Sequence, residues 1–332
     1  MTHSPDQSPT IGTIARRAGV SIASVSRVLN DLGGRPETIR AVRRAARELG
    51  YVPNSVARSL RARRTGQLVF AGADVTDPIC LAMLRETEVA ARQANYRLLL
   101  RCTDGRQDVE AELLRGLRHR YADGLILCPA RITPAHLAEL ARVAVPVVVC
   151  GPVPEGRSPD GLPVDALLAD SRVAAGLAVA HLRDTGRHRV AFVGPWAGDS
   201  AVGAGGQGPP VEDRMVERCE VARATGAEAA RRLLARADPD AIACGSDLVA
   251  LGVMHALREA GRRVPEDVAV VGVGDTDLAR ICWPALTSVG IGAEERGALA
   301  VPMLLDRLGG ADPPPRLVTS TPRLVARDSS RQ

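Results

Sequence analysis

The stretch from Thr10 to Asn30, TIGTIARRAGVSIASVSRVLN, constrains this chain more than any other. It reads as two short helices joined at Ala18-Gly19-Val20. Thr10 can cap the first helix, which carries Ile11, Ile14, Ala15 and Ala18 on one face. Gly19 follows the last turn, where a left-handed residue ends a helix at no steric cost. Ser21 can cap the second helix. Val25, Val28 and Leu29 recur at helical spacing and predict an inward face, leaving Ile22, Ala23, Ser26 and Arg27 outside. Such a pair is a helix-turn-helix, whose second helix fits the DNA major groove. Taken alone, the pattern also suits a plain helical hairpin in a core.

The next residues favour the first alternative. Pro36 suits the first turn of a third helix, whose stripe Val42, Ala45, Ala46 and Leu49 follows helical spacing up to Gly50. Tyr51-Val-Pro-Asn54 follows, and Asn54 can cap a short helix over 55–61. The charge is lopsided. Residues 1–66 hold 12 arginines against 4 acids, a net of +8, whereas the remainder is net −3. Positive charge gathered at one end is the footprint of a phosphate-binding module.

Val20-Ser21, Val25-Ser26-Arg27-Val28-Leu29-Asn30, Leu49-Gly50-Tyr51-Val52-Pro53-Asn54 and Ala57-Arg58-Ser59-Leu60 stand in the order found in one known headpiece. In these residues the chain resembles the lactose-repressor (LacI/GalR) family, closely over 10–64 and more loosely beyond. The resemblance implies a DNA-binding regulator, most often a repressor, that reads a palindromic double-stranded operator as a homodimer. It places Thr10, Ser21, Ile22, Ala23, Ser24, Ser26, Arg27, Asn30, Tyr51, Asn54, Ala57 and Leu60 at the DNA. Ile22 and Ala23 match the principal base-reading positions, and Leu60 matches a hinge-helix leucine that wedges into the minor groove.

From Gly66 the pattern changes. Continuous apolar runs at 67–74, 97–102, 124–128, 146–150, 189–194, 241–244 and 268–273 alternate with helical stretches. The helices are expected at 78–94, 107–120, 133–142, 171–184, 226–236, 247–260 and 292–308. Such alternation predicts parallel sheets covered on both faces, in two lobes with a ligand cleft at the strands' carboxyl ends. Landmarks such as Asp123-Gly124, Ala191-Phe-Val-Gly194 and Val271-Gly-Val-Gly-Asp275 resemble the periplasmic-binding-protein-like effector domain of the same family.

The expected organisation is a disordered stretch at 1–9, the DNA-binding module at 10–53, a hinge helix and linker at 54–65, and an effector and dimerisation domain at 66–328. Lobe 1 is expected over about 66–185 plus 290–315, and lobe 2 over about 186–289 plus 316–328.

Composition excludes several classes. No apolar run of membrane-spanning length is free of charges, and the polar start Met1-Thr-His-Ser-Pro-Asp is unlike a signal peptide, so a cytoplasmic protein is expected. The 7 cysteines contain no C-x-x-C pair and read as small buried hydrophobes, so neither a metal nor a cofactor is expected. There is no nucleophile elbow, P-loop or H-E-x-x-H, and Gly203-Ala-Gly-Gly-Gln-Gly208 has no strand before it or apolar helix after it. An enzyme is not expected.

The family pattern is weakest at the effector cleft. The resemblance places Asp77, Ile79, Asp170, Trp196, Ser246, Asp247 and Asp275 there, with a sugar or related metabolite as the ligand class. Family clefts commonly stack an aromatic ring on the ligand, yet this chain is 2% aromatic. It has Ile79-Cys80 where rings are frequent, Ser246 where the family usually has Asn, and Gly274-Asp275 in place of Asp-Asp. After Gly194 the run from Pro195 to Pro210 is too rich in glycine and proline for a helix and replaces an Arg-containing segment. Helix capping explains Asp170 equally well, and capping or packing explains Asp247 better than ligand contact. Two other readings stay open: a regulator that no longer responds to ligand, and a ligand-binding protein whose headpiece does not bind DNA.

Overall fold

The computed structural model describes residues 9–30, 32–51, 64–152, 161–195, 211–310 and 313–331. The chain divides into two compact units, Met1–Thr65 and Gly66–Gln332. The disordered stretch expected at 1–9 and the hinge helix expected from 54 fall almost wholly outside the described residues.

Among its described residues the first unit has three helices, α1 (Ile11–Ala18), α2 (Ile22–Leu29) and α3 (Pro36–Glu48). Their buried stripes meet in one small core of Ile14, Ala15, Val25, Val28, Val42, Ala45 and Ala46. A core of this size leaves little margin, so the helix ends matter. Thr10 and Thr13 form a reciprocal capping box, with Thr13 N–H donating to Thr10 Oγ1 at 3.2 Å and Thr10 N–H to Thr13 Oγ1 at 2.8 Å. Gly19 closes α1 in the left-handed region at φ 66°. An exposed Arg17–Glu48 ion pair at 2.8 Å joins α1 to α3.

Among its described residues the second unit holds two six-stranded sheets. The first has the order β11-β5-β4-β3-β1-β2, built from β1 (Gln67–Gly72), β2 (Arg97–Cys102), β3 (Gly124–Cys128), β4 (Val147–Pro152), β5 (Asp165–Ala169) and β11 (Leu317–Ser320), all parallel. The second has the order β12-β10-β9-β8-β6-β7, built from β6 (Val190–Gly194), β7 (Val216–Arg218), β8 (Ala241–Cys244), β9 (Ala269–Gly274), β10 (Thr287–Gly290) and the antiparallel edge strand β12 (Arg323–Val325).

Apolar residues fill both faces of the central strands, because helices cover both. In lobe 1, α4 (Pro78–Gln93) and α11 (Ala293–Leu308) cover one face, and α5 (Gln107–Gly116) and α6 (Pro134–Leu140) the other. In lobe 2, α7 (Ser171–Asp184) lies on the sheet, while α8 (Arg223–Arg236) packs tightly on α9 (Asp247–Glu259). At the α8–α9 crossing, Gly226 sits against the Val249 backbone and Gly252 against that of Arg223, so a β-carbon at either would force the helices apart.

The structure corrects two lobe crossings. The sequence placed the first near 185–188, but Ala174, Ala175, Ala178, Val179 and Leu182 of α7 belong to the lobe 2 core. The chain therefore crosses at Ala169–Asp170, and α7 goes with the sheet that its small side chains approach closely. The expected last crossing near 316 moves to between Ser320 and Arg323, because β11 still pairs with β5 in the first sheet. The second crossing lies at Gly290–Gly292. Ser320 Oγ lies 3.0 Å from the carbonyl oxygen of Leu168 and 2.8 Å from that of Ile291, so one hydroxyl touches all three connections.

Five strands (β5, β7, β10, β11 and β12) and the five-residue helix α10 (Asp277–Ile281) were not read from the sequence. The cysteine expectation needs one change. Cys80, Cys128, Cys150 and Cys244 are buried, but Cys102 is exposed because it ends the uncovered edge strand β2.

Candidate functional site

The sequence selected α2 as the groove-reading helix, and its geometry suits that task. Ser21 caps it through Ser24 N–H at 3.1 Å, and the two hydroxyls lie 2.9 Å apart, pinning the end that would approach base edges. Val25 and Val28 anchor the inner face. Ile22, at 57% exposed, shares the outer face with Ala23 and Arg27. An exposed isoleucine at a helix start in so small a unit adds nothing to the core, whereas it can meet a thymine methyl. Ser26 departs from the expected outward face. It is half-buried, and Asn30 Nδ2 donates to its carbonyl oxygen at 2.7 Å, so Asn30 closes the helix end. Tyr51 is half-buried against the three-helix core, its backbone N–H bonded to the Ala46 carbonyl at 2.9 Å. Asn54, Ala57 and Leu60 lie outside the described residues.

The second site is the cleft between the lobes. Asp77, Asp170, Ser246-Asp247 and Asp275 all follow the carboxyl ends of strands (β1, β5, β8 and β9), where ligands bind in open α/β sheets. Ile79 packs against the cores of both lobes and bridges them. Trp196 lies outside the described residues, as does the glycine-rich run at 203–208.

Most of the predicted polar groups already have partners. Asp77 caps α4, accepting from Ile79 N–H at 2.8 Å; burial raises its carboxyl above the ordinary range, opposed by that bond. Asp170 caps α7, accepting from the backbone N–H groups of Arg172 and Val173 at 3.1 and 3.0 Å. Ser246 caps α9 through Val249 N–H at 3.2 Å.

Asp247 is buried and braces its own lobe. It accepts from Ser288 Oγ at 2.6 Å, Thr276 N–H at 2.8 Å and Thr276 Oγ1 at 2.8 Å. Burial raises its carboxyl, and these three bonds oppose the rise. Asp275 sits in the left-handed region at φ 51° and pairs with Arg327 and, at 3.7 Å, with Arg280.

Sequence reasoning missed one residue at the lobe junction. Arg296, in the second turn of α11, is only 4% exposed. It stands in the helix's apolar stripe with Ala293, Gly297 and Ala300, and an arginine on such a stripe was the available signal.

Among the described residues two apolar surfaces are exposed. One is the groove between α4 and edge strand β2, lined by Leu81, Leu84, Leu98 and Leu100. The other is carried by Ile281 and Trp283, which are 77% and 91% exposed. Among the described residues no group of three or more His, Cys, Asp or Glu side chains could hold a metal ion, and no helix is long and apolar enough to cross a membrane.

A helix-turn-helix unit with a basic end, followed by a two-lobed body with a cleft at the strand ends, defines a class of DNA-binding regulators. Comparison with known proteins gives the family. Residues 10–54 match the model for bacterial regulatory proteins of the lacI family, and residues 179–330 match the periplasmic binding protein-like domain. The chain is 33% identical over 345 residues to the HTH-type transcriptional regulator CelR of Thermobifida fusca, covering 97% of this chain and 98% of that one. It is 32% identical over 307 residues to catabolite control protein A of Priestia megaterium, covering 89% and 91%. Among solved structures, a transcriptional regulator CelR–cellobiose complex superposes with a TM-score of 0.70 at 29% identity, covering 97% of this chain and 99% of that one. The chain belongs to the lacI family of bacterial transcriptional regulators.

Proposed function

We propose that this protein is a cytoplasmic repressor that binds a two-fold-symmetric operator as a homodimer and acts by binding, with no catalytic step. The observation that carries the reading is α2, capped at Ser21, held by Val25 and Val28, and presenting Ile22, Ala23 and Arg27 outward. Arg27 has no side-chain partner among the described residues and is available to guanine or phosphate. Ile22 and Ala23 offer no hydrogen bonds, so they read thymine methyls or permit close approach. The two exposed apolar surfaces, including an apolar edge strand, support the dimer, because monomers rarely leave such strands uncovered.

Leu60 is assigned as the minor-groove wedge, with Ala57 letting two hinge helices approach. A small molecule in the interlobe cleft, near Asp77, Ile79, Asp170, Trp196, Ser246, Asp247 and Asp275, shifts operator affinity by binding the two body states unequally. That the relative CelR is described in complex with cellobiose supports a small-molecule effector.

Selection of bound sequences from a random DNA pool tests the reading. It should return a palindrome with a central CG step, which the wild-type protein bends and the Leu60→Ser variant leaves nearly straight. A non-palindromic or unselective result refutes it.

A further inference from the structure

Arg296 follows the lobe crossing at Gly290–Gly292 by only four residues. Packing alone would put an apolar side chain there, since its neighbours on the stripe are Ala293, Gly297 and Ala300. The helix cannot move away to hydrate it, because Gly297 lies directly against the Met83 backbone of α4. Nε donates to the Gly292 carbonyl at 3.1 Å, which folds the guanidinium back toward the start of α11 and the lobe junction.

Nη2 is buried and has no hydrogen-bond partner. No carboxylate lies within ion-pair distance of Arg296 among the described residues. The groups within electrostatic reach are the exposed Glu295 and the thiols of Cys128 and Cys150, and burial keeps the Cys128 thiol protonated. Burial also lowers the pKa of Arg296, yet a guanidinium stays charged in proteins. A buried cation with an unused donor is costly unless an anion completes it.

The start of α11 adds a second feature. Its N-cap residue is Gly292, at φ 67°, so no side chain caps the first turn of this 16-residue helix. A β-carbon there would sit 2.8 Å from Ser320, which excludes a capping side chain. An uncapped helix N-terminus and a guanidinium folded toward it together favour an oxyanion.

We propose that Arg296 and the first turn of α11 form an oxyanion subsite of the interlobe cleft, so that the effector is an anionic metabolite bearing a carboxylate or phosphoryl group and not a neutral sugar. The inference rests on reading this cleft as the effector site. It accounts for a cleft in which Asp170, Asp247 and Asp275 are engaged in internal bonds.

The test titrates the full-length protein by calorimetry with glucose, gluconate, glucose 6-phosphate and inorganic phosphate, and repeats the titrations on Arg296→Leu and Arg296→Gln. Gluconate tests the carboxylate source, and the two phosphates test the phosphoryl source with and without the sugar. At least one anionic probe should bind the wild type and shift its operator affinity. Both variants should weaken that binding by about 10–100-fold, the range for charge-assisted hydrogen bonds. Operator binding without ligand should stay unchanged.

Glucose binding as tightly as its acid or phosphate, unchanged anion binding in a folded variant, or no anion binding to a wild type that still binds operator would each overturn the subsite. If neither variant folds, the wild-type comparison of anionic with neutral probes decides alone. A wild type that fails to bind any selected operator would instead refute the regulator reading, so the two failures are distinguishable.

Discussion

Replacing Asp165 with asparagine should destabilise the body by about 2–3 kcal/mol. Asp165 opens β5 and is fully buried. Its carboxylate takes Arg307 Nη2 at 2.6 Å and Nε at 2.9 Å, and Arg316 Nη2 and backbone N–H at 2.8 Å each. Asparagine keeps one acceptor and turns an NH2 group toward guanidinium donors. Breaking a buried pair this way costs ~3–5 kcal/mol. The two arginine side chains are 16% and 33% exposed, so water recovers part of that.

Acid gives an independent check. Burial would raise the Asp165 carboxyl, but the bonds from Arg307 and Arg316 outweigh it and hold it down at about 2. The unfolded value is ~3.9, so the depressed native value supplies ~2.6 kcal/mol at neutral pH before solvent screening, and ~1–2 after it. A depressed carboxyl stabilises above its unfolded pKa and loses that contribution as pH falls toward the folded one. About half should be gone by pH 3. Urea titrations of wild type and Asp165→Asn at pH 7 and pH 3, followed by far-UV circular dichroism, measure both quantities. A stability difference under about 1 kcal/mol at pH 7, or one that acid leaves unchanged, would refute this accounting.

Arg27→Ala should weaken operator binding by about 1–3 kcal/mol in a gel-shift titration while the headpiece stays folded, and an unchanged affinity would remove Arg27 from the interface. Substitutions at Ile22 or Ala23 should alter the half-site recovered by selection, and recovery of the same site would show that these positions do not read bases. Trp283→Arg puts a charge on an exposed aromatic surface of lobe 2 and should shift sedimentation toward monomer. Ser320→Ala should cost about 1 kcal/mol and speed amide exchange around Leu168 and Ile291, where its hydroxyl touches the lobe connections.

Much of this fold is legible without coordinates because its signals are local. Thr10, Gly19, Ser21, Pro36 and Gly50 punctuate three helices whose apolar spacing needs no long-range information, and the structure places each at a helix end. Most strands read correctly are those covered on both faces, such as Val147–Cys150, which appear as unbroken apolar runs; the exposed edge strand β2 was read from its Leu98-Leu99-Leu100 run. The missed strands are three to five residues long, and four of them are short or edge strands whose side chains carry little pattern.

The lobe crossing was misplaced because an alanine-rich helix such as α7 packs equally well on either sheet. Only its contacts with Phe192 and its neighbours decide. The cleft was the least legible region. Asp170, Asp247 and Asp275 have the residue types of ligand-binding groups, but their partners come from the backbone of α7, from Thr276 and Ser288, and from Arg327. Arg296 was missed for the opposite reason. It is one arginine among many in the sequence, and only its burial sets it apart.

The triple crossing between the lobes also orders the birth of the molecule. Both sheets receive their final edge strand from the same short stretch: β11 closes the first sheet at Leu317–Ser320, and β12 closes the second at Arg323–Val325. Neither lobe can be finished before this stretch is made. While the ribosome is still adding residues, β5 and β10 stand as open edges that offer unpaired backbone to any passing strand. Among the described residues, the core of the three-helix unit is drawn from positions up to Tyr51, some 270 residues earlier in the chain. A nascent chain thus carries a finished three-helix head long before the second unit has its last two strands.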